Sequence, residues 1–266
     1  MSTTASVRRE ALTEVFARAS VCERCPELAA TRHSVVFGAG NADADLMFVG
    51  EAPGANEDQQ GLPFVGAAGK LLEKLLGEIG LSRSDVFIAN VLKCRPPGNR
   101  DPLPAEIENC QEYLLEQVAL VAPRVICSLG NFSTKLLRRD PAGITRVHGQ
   151  AEVLTLGRSA VRLYPIFHPA AALYTPRMLE TLREDFARLP ELLELPAPEQ
   201  PPAPAPADRG AGEPLDDAAP SQAPAAVDPA PPAAPRTVAA DTPSTGRFAL
   251  PAETPASASS DQLGLF

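Results

Sequence analysis

No stretch of this chain is apolar for long enough to cross a membrane, and its first residues show no signal peptide, so a cytoplasmic protein is expected. The phosphate loops of nucleotide enzymes are missing too. Gly66-Ala67-Ala68-Gly69-Lys70-Leu71 has neither the spacing nor the Ser/Thr of a Walker motif, and there is no G-x-G-x-x-G, which argues against a nucleoside-triphosphate enzyme. Nor is there an excess of positive charge. The formal net charge is −9, and the last 71 residues, with 3 basic and 9 acidic side chains, carry −6 of it, leaving −3 for the rest. A mildly acidic domain of this kind can still bind a nucleic acid, but only through a local basic face and backbone amides rather than bulk charge. Bulky apolar residues are sparse from Pro196 onward, where 16 of the 71 residues are proline. Residues 196–261 are therefore expected to be a disordered Pro/Ala-rich linker, and residues 1–195 a single packed domain acting as a monomer.

What is present centres on Gly50 to Gly69. The run Leu46-Met47-Phe48-Val49 is short and continuously apolar, as a strand covered on both faces is. Beyond the loop, Leu71, Leu72, Leu75, Leu76 and Ile79 recur at the spacing of one helix face. Between them lies a stretch too glycine-rich and polar to be either element, and longer than the roughly 2–6 residues of an ordinary strand-to-helix connection. A loop at the carboxyl end of a parallel strand is where open α/β sheets place ligands. This one brings Glu51, Glu57, Asp58 and Phe64 there.

The rest of the chain alternates. An amphipathic helix over the first twenty residues, with Leu12, Val15, Phe16 and Ala19 on one side, precedes Cys22-Glu23-Arg24-Cys25. Further strands are expected at Val86 to Asn90, Val125 to Gly130 and Val161 to Phe167, with a polar loop from Lys93 to Pro104. Helices are expected from Pro104 to about Val121, around Leu136 and Leu137, and from about Met178 to Leu193. The pattern predicts an α/β fold: a three-layer α/β/α arrangement with a central, mainly parallel, four-stranded sheet and a disordered C-terminal tail.

Five cysteines, an odd number, argue against a disulfide framework and toward metal binding. Cys22 and Cys25 form a C-x2-C pair, while Cys94 and Cys110 lie far off in sequence and join them only in the folded chain. Pure cysteine ligation suits zinc and iron–sulfur clusters alike, and the spacing does not separate the two. Cys127, inside an apolar strand, reads as core.

Gly50-Glu51-Ala52-Pro53-Gly54, Glu57-Asp58, Gly61, Pro63-Phe64-Val65-Gly66 and Gly69 resemble the first active-site motif of the family 4 uracil-DNA glycosylases, the iron–sulfur branch of their superfamily. The resemblance continues through Asn90-Val91-Leu92-Lys93-Cys94-Arg95-Pro96-Pro97-Gly98-Asn99-Arg100 and His168-Pro169, and covers roughly Val21 to Pro190. It implies a monofunctional DNA glycosylase that hydrolyses the N-glycosidic bond of uracil in DNA and so opens base excision repair. It also implies a [4Fe–4S] cluster on Cys22, Cys25, Cys94 and Cys110. The alternatives are a uracil-DNA binding or trapping relative without turnover and a redox iron–sulfur protein. The trapping branch carries a basic, His-containing insertion near the Lys93 loop that this sequence does not show, and nothing here indicates a second redox centre.

The same resemblance implies the pocket, built on Gly50, Ala52, Glu57, Phe64, Asn90 and His168. Phe64 offers a stacking face, and Asn90 matches N3–H and O4 of uracil. His168 stands for the donor to O2, where charge gathers as the bond breaks. Ala52 occupies a position where other branches place an Asp, so Glu51 becomes the candidate for positioning water or steadying the cationic sugar. Glu57 is expected to wall off the uracil C5 edge against thymine. Each residue also has an ordinary reading: Phe64 as core, Asn90 as a strand-end cap, His168 as a bend, Glu57 and Asp58 as caps of a turn. Arg95, Asn99 and Arg100 suit phosphate oxygens. Leu173 is the expected wedge into the duplex, supported by Tyr174 or Arg177, although Ala172 is small for that region. At the C-terminus Gln262-Leu263-Gly264-Leu265-Phe266 resembles the Q-L-x-L-F peptide by which bacterial repair proteins dock on the sliding clamp. There Gln262, Leu263, Leu265 and Phe266 are the contacts.

Overall fold

The elements change where the side-chain period changes, and a computed structural model describes them for residues 4–202. The expected linker beyond residue 202 and the peptide at 262–266 lie outside the described residues. The chain begins with α1 (Thr4–Ser20) and α2 (Pro26–Thr31), then β1 (Ala39–Gly40) and β2 (Leu46–Gly50). Next come α3 (Ala55–Gln60), α4 (Ala67–Glu78), β3 (Phe87–Asn90) and α5 (Pro104–Val121). After β4 (Val125–Leu129) follow α6 (Asn131–Arg138), α7 (Ile144–Val147), β5 (Glu152–Leu156) and β6 (Ser159–Ile166). The last elements are α8 (Pro169–Ala172), α9 (Pro176–Ala187) and α10 (Leu189–Glu194).

The sheet has six strands in the order β1-β3-β2-β4-β6-β5, not four. The four expected strands are its parallel centre, and the two missed ones pair antiparallel on its edges. Both omissions have a physical cause. β1 is two residues long, one of them Gly40 at φ +129°, and lacks the β-branched and aromatic residues that signal a strand. β5 is an edge strand whose residues are half-buried or exposed until Leu156, so it shows none of the continuous apolar run by which the central strands were found.

Alternate residues of the central strands feed two cores. Met47, Val49, Phe87, Ala89, Ile126, Val161 and Leu163 face one side, where Leu12 and Val15 of α1 and Leu114 and Val118 of α5 close over them. Phe48, Ile88, Val125, Cys127, Tyr164 and Ile166 face the other, covered by Leu72, Leu75 and Leu76 of α4 and by Leu182 and Phe186 of α9. This double burial is why the strands read as unbroken apolar runs and why helices stand on both faces. Cys127 is core, as expected.

Two local expectations change. The loop after β2 contains α3, a six-residue helix closed by Gly61 in the left-handed region at φ +72°. The single helix expected over Met178–Leu193 is two, because Pro190 offers no N–H to the carbonyl one turn back and the chain breaks at Arg188. Contacts with the domain run past Leu195, for Arg162 donates to the Pro196 carbonyl at 3.1 Å and the Gln200 amide pairs with both backbone groups of Ala160. Among the described residues no helix is long and apolar enough to cross a membrane.

Candidate active site

The carboxyl ends of the parallel strands bring the motif residues together. Gly50 at the end of β2 is in register with Asn90 at the end of β3, and His168 stands just beyond β6 at the start of α8. Around them opens a cavity of about 470 Å³ whose wall includes Glu51, Ala52, Glu57, Phe64, Asn90 and His168. Asn99, Arg100 and Pro96 of the loop after β3 form its rim.

Why residue 50 is glycine is a matter of space. A Cβ there would lie 2.3 Å from Asn90 Oδ1 and 2.8 Å from Cζ of Phe64, so the absence of a side chain lets both the amide and the ring pack against this backbone. Asn90 is 1% exposed, and its Oδ1 has no hydrogen-bond partner. A buried unpaired acceptor is costly, and Asn90 is at the same time one of the residues that line the cavity. Its backbone carbonyl, by contrast, is held by Lys93 Nζ at 2.8 Å. Lys93 is itself buried, with its second bond to Gln117 Oε1 at 2.6 Å.

His168 is defined by one bond and one environment. Its Nδ1 accepts the Ala170 N–H at 3.1 Å, so a neutral ring carries its proton on Nε2. Desolvation lowers its pKa to about 4, against a smaller opposing pull from the Glu57 carboxylate. At neutral pH the residue is therefore an uncharged imidazole with an N–H to give. Its ring centroid lies 5.6 Å from that of Phe64, at 31°. Phe64 is 6% exposed and has φ +54°, a left-handed conformation rare for a bulky side chain.

The acids divide. Glu57 lines the cavity, but its Oε1 also accepts the Val65 and Gly66 N–H groups at 3.0 and 2.9 Å, across the loop. Asp58 is turned away and buried, receiving the His33 N–H at 2.9 Å and facing its Nδ1 at 2.8 Å. Glu51 is half-buried at the cavity, and desolvation, helped by the charge of Asp101, raises its pKa above the ordinary carboxylate value. Ala52 brings no polar side chain to the cavity, only its backbone N–H and C=O.

The expected DNA contacts are unequal. Arg95 Nε donates to Asn99 Oδ1 at 2.7 Å. Arg100 is spoken for: it donates to both oxygens of the nearly buried Glu106 at 2.6 and 2.9 Å and to Glu27 at 2.9 Å. Leu173 is half-buried and Arg177 exposed, whereas Tyr174 beside them is 90% exposed.

The four cysteines come from four places, the end of α1, the start of α2, the loop after β3 and the middle of α5. Cys94 feels the charges of Cys22 and Cys25, and Cys110 those of Cys94 and Cys25, so the four sulfurs share one electrostatic neighbourhood. Each sulfur also has a polar hydrogen aimed at it. Arg32 donates to Cys94 at 3.3 Å, the Lys93 N–H to Cys110 at 3.3 Å, Asn109 to Cys25 at 3.6 Å and Arg24 to Cys22 at 3.5 Å. As bare thiols Cys94 and Cys110 are pushed up by burial, the latter to about 11. Among the described residues no three His, Cys, Asp or Glu side chains stand so as to hold a metal ion.

Sequence reasoning missed Arg32, Lys93, Gln117 and Arg83, whose contacts reach 62, 24, 80 and 19 positions along the chain. Only Lys93 had a local signal, a lysine following the apolar run Val91-Leu92 at a strand end.

Residues 37–191 match the family model described as the uracil DNA glycosylase superfamily. The chain is similar to the type-4 uracil-DNA glycosylase of Archaeoglobus fulgidus, 44% identical over 187 residues that cover 69% of this chain and 94% of the relative. It is similar also to the type-4 uracil-DNA glycosylase of Sulfurisphaera tokodaii, at 47% identity over 64% of this chain and 80% of the relative. With that of Thermotoga maritima the identity is 43%, over 61% of this chain and 83% of the relative.

Proposed function

Since the chain belongs to the type-4 branch of the uracil DNA glycosylase superfamily, we propose that the cavity at the strand ends receives uracil flipped out of DNA and that its wall residues divide the work of hydrolysis among them. The activity itself, hydrolysis of the bond between uracil and deoxyribose in DNA, is that of a DNA-repair hydrolase. One observation carries the assignment of roles: the unpaired, buried Oδ1 of Asn90 in the wall of the same cavity as an uncharged His168.

Uracil presents a donor at N3 and an acceptor at O4. The Asn90 acceptor takes N3–H, and its amide N–H faces O4. Cytosine presents an acceptor at N3 and leaves Oδ1 facing a lone pair, an unpaired buried contact costing on the order of 1–3 kcal/mol. Phe64 stacks on the base, which fixes it against the amide. As the glycosidic bond stretches, negative charge collects on O2, where His168 Nε2–H donates. A neutral donor suits this role: it stabilises the developing charge without having to give up a proton. Glu51, half-desolvated at the lip, orients water toward the sugar and faces the positive charge forming there. Glu57 shapes the wall on the C5 side while its other function is to hold the loop. At and beyond the cavity rim Asn99 and Arg95 meet backbone phosphates. Leu173, with the exposed ring of Tyr174 and with Arg177 nearby, enters the gap the base leaves.

Four thiols in one electrostatic neighbourhood, each with a polar hydrogen directed at its sulfur, would suit the thiolate ligands of a [4Fe–4S] cluster. Held by Cys22, Cys25, Cys94 and Cys110, such a cluster would tie the segment between α1 and α2 to α5 and to the loop carrying Arg95, a structural role. The residues 262–266 dock on a sliding clamp, the linker serving as tether. Deleting Gln262 to Phe266 is expected to abolish clamp capture while leaving uracil release unchanged, and clamp binding that survives the deletion discards this part.

The test of the whole is single-turnover release of free uracil from a uracil-containing oligonucleotide, with Asn90→Ala and His168→Ala alongside. Release that slows strongly in both variants supports the pocket. Tight binding without release in the parent protein replaces turnover with trapping.

A further inference from the structure

Phe64 is held in its left-handed conformation by groups on both sides of it. Arg83, in the short 3-10 turn that leads into β3, reaches back with Nη1 to the Phe64 carbonyl at 3.0 Å and with Nη2 to the Pro63 carbonyl. From the opposite side Glu57 Oε1 takes the N–H groups of Val65 and Gly66. The peptide plane joining residues 64 and 65 is thus fastened at both ends, its C=O by Arg83 and its N–H by Glu57. The plane joining 63 and 64 is fastened by its carbonyl. With both planes flanking its Cα pinned, φ and ψ of Phe64 have no freedom left, and the ring is aimed at Gly50 and His168. Gly69 completes the seat, since a Cβ there would come within 1.8 Å of the Phe64 oxygen. Glu73 orients the guanidinium from outside, 3.2 Å from Nη1.

We propose that Arg83 is a positioning residue for uracil recognition, acting through Phe64 although it does not itself line the cavity. The inference rests on the reading of the cavity as a uracil site. A strained conformation persists only where its surroundings impose it, and here the imposing groups converge on the phenyl ring that lines the pocket. Arginine is required by geometry: its planar fork spans two successive carbonyls, whereas a lysine ammonium is a point donor on a flexible stem.

The experiment is a double-mutant cycle on single-turnover uracil release and on inhibition by free uracil, with the full chain carrying Arg83→Ala, Arg83→Lys, Phe64→Ala and the Phe64→Ala/Arg83→Ala pair. Loss of a base–aromatic stack corresponds to a fall on the order of 10- to 100-fold. Arg83→Ala is expected to approach the loss seen in Phe64→Ala, Arg83→Lys to recover little of it, and the pair to be no worse than Phe64→Ala alone. A merely structural role would multiply the two losses, and that result overturns the proposal, as does Arg83→Ala at the parent rate. If Arg83→Ala does not fold, Arg83→Lys takes its place in the same cycle. Failure of the parent protein to release uracil removes the uracil-site reading and this inference with it, whereas parental release with multiplied losses removes this inference alone.

Discussion

Acid is expected to act on this protein through His168 in a way that can be separated from every other titration. In the folded chain desolvation places the imidazole pKa at about 4, below the value of 6.5 that it regains on unfolding. Between these values the unfolded chain binds a proton that the folded chain does not. Stability therefore rises with pH across the window, and is lost as pH falls from 6.5 toward 4. At about 1.4 kcal/mol per pH unit the loss comes to roughly 3 kcal/mol. His168→Gln removes this linkage and leaves the carboxylates and the other two histidines as they were. The assay is urea denaturation of parent and variant at a series of pH values from 4 to 8. The parent should lose about 3 kcal/mol more than the variant over the range. The same variant should release uracil on the order of 10²- to 10³-fold more slowly, the usual cost of removing one preorganised donor. Parallel stability curves refute the depressed pKa. A parent rate that changes with a midpoint near 6.5, in either direction, refutes the neutral donor.

Four further outcomes are open to measurement. Glu51→Gln should abolish an acid limb that lies above the ordinary carboxylate range, since burial raises this pKa and the ionised form is the working one; a limb unchanged in the variant assigns it elsewhere. Gly50→Ala, whose Cβ would sit 2.3 Å from Asn90 Oδ1, should cut single-turnover release at least as far as Asn90→Ala does, and an active Gly50→Ala contradicts the close packing of amide and ring. Arg95→Ala should weaken DNA binding across sequences and lower the salt slope by about 1, while Arg100→Ala, which leaves the buried Glu106 with only the Leu103 N–H, should cost thermal stability more than affinity. Cys94→Ala should lose iron together with DNA affinity, and an iron-free protein of full affinity ends the view that the cysteines shape the Arg95 loop.

The sequence by itself determined the parallel centre of the sheet, because a strand buried on both faces must be apolar throughout and nothing else so short is. It also marked the ligand loop, through glycines and acids placed where a core permits neither, and the three separated motifs that carry Gly50, Asn90 and His168. Edge strands escaped it, since β5 owes its place to the backbone of β6 rather than to side chains, and β1 is two residues of ladder. The state of the site was decided by the tertiary structure alone. A histidine has a pKa near 6.5 in any sequence; desolvation at the strand ends lowers that of His168. Arg100 and Arg83 look alike as residues, yet one is locked onto Glu106 and the other clasps the carbonyls around Phe64. Glu57 reads as a pocket wall or a cap and proves to hold the loop's amides while lining the cavity. Periodicity and turn chemistry are interactions between near neighbours and so are written locally. Burial, charge pairing and strain depend on which distant segments meet, and that is settled only when the sheet closes its two cores.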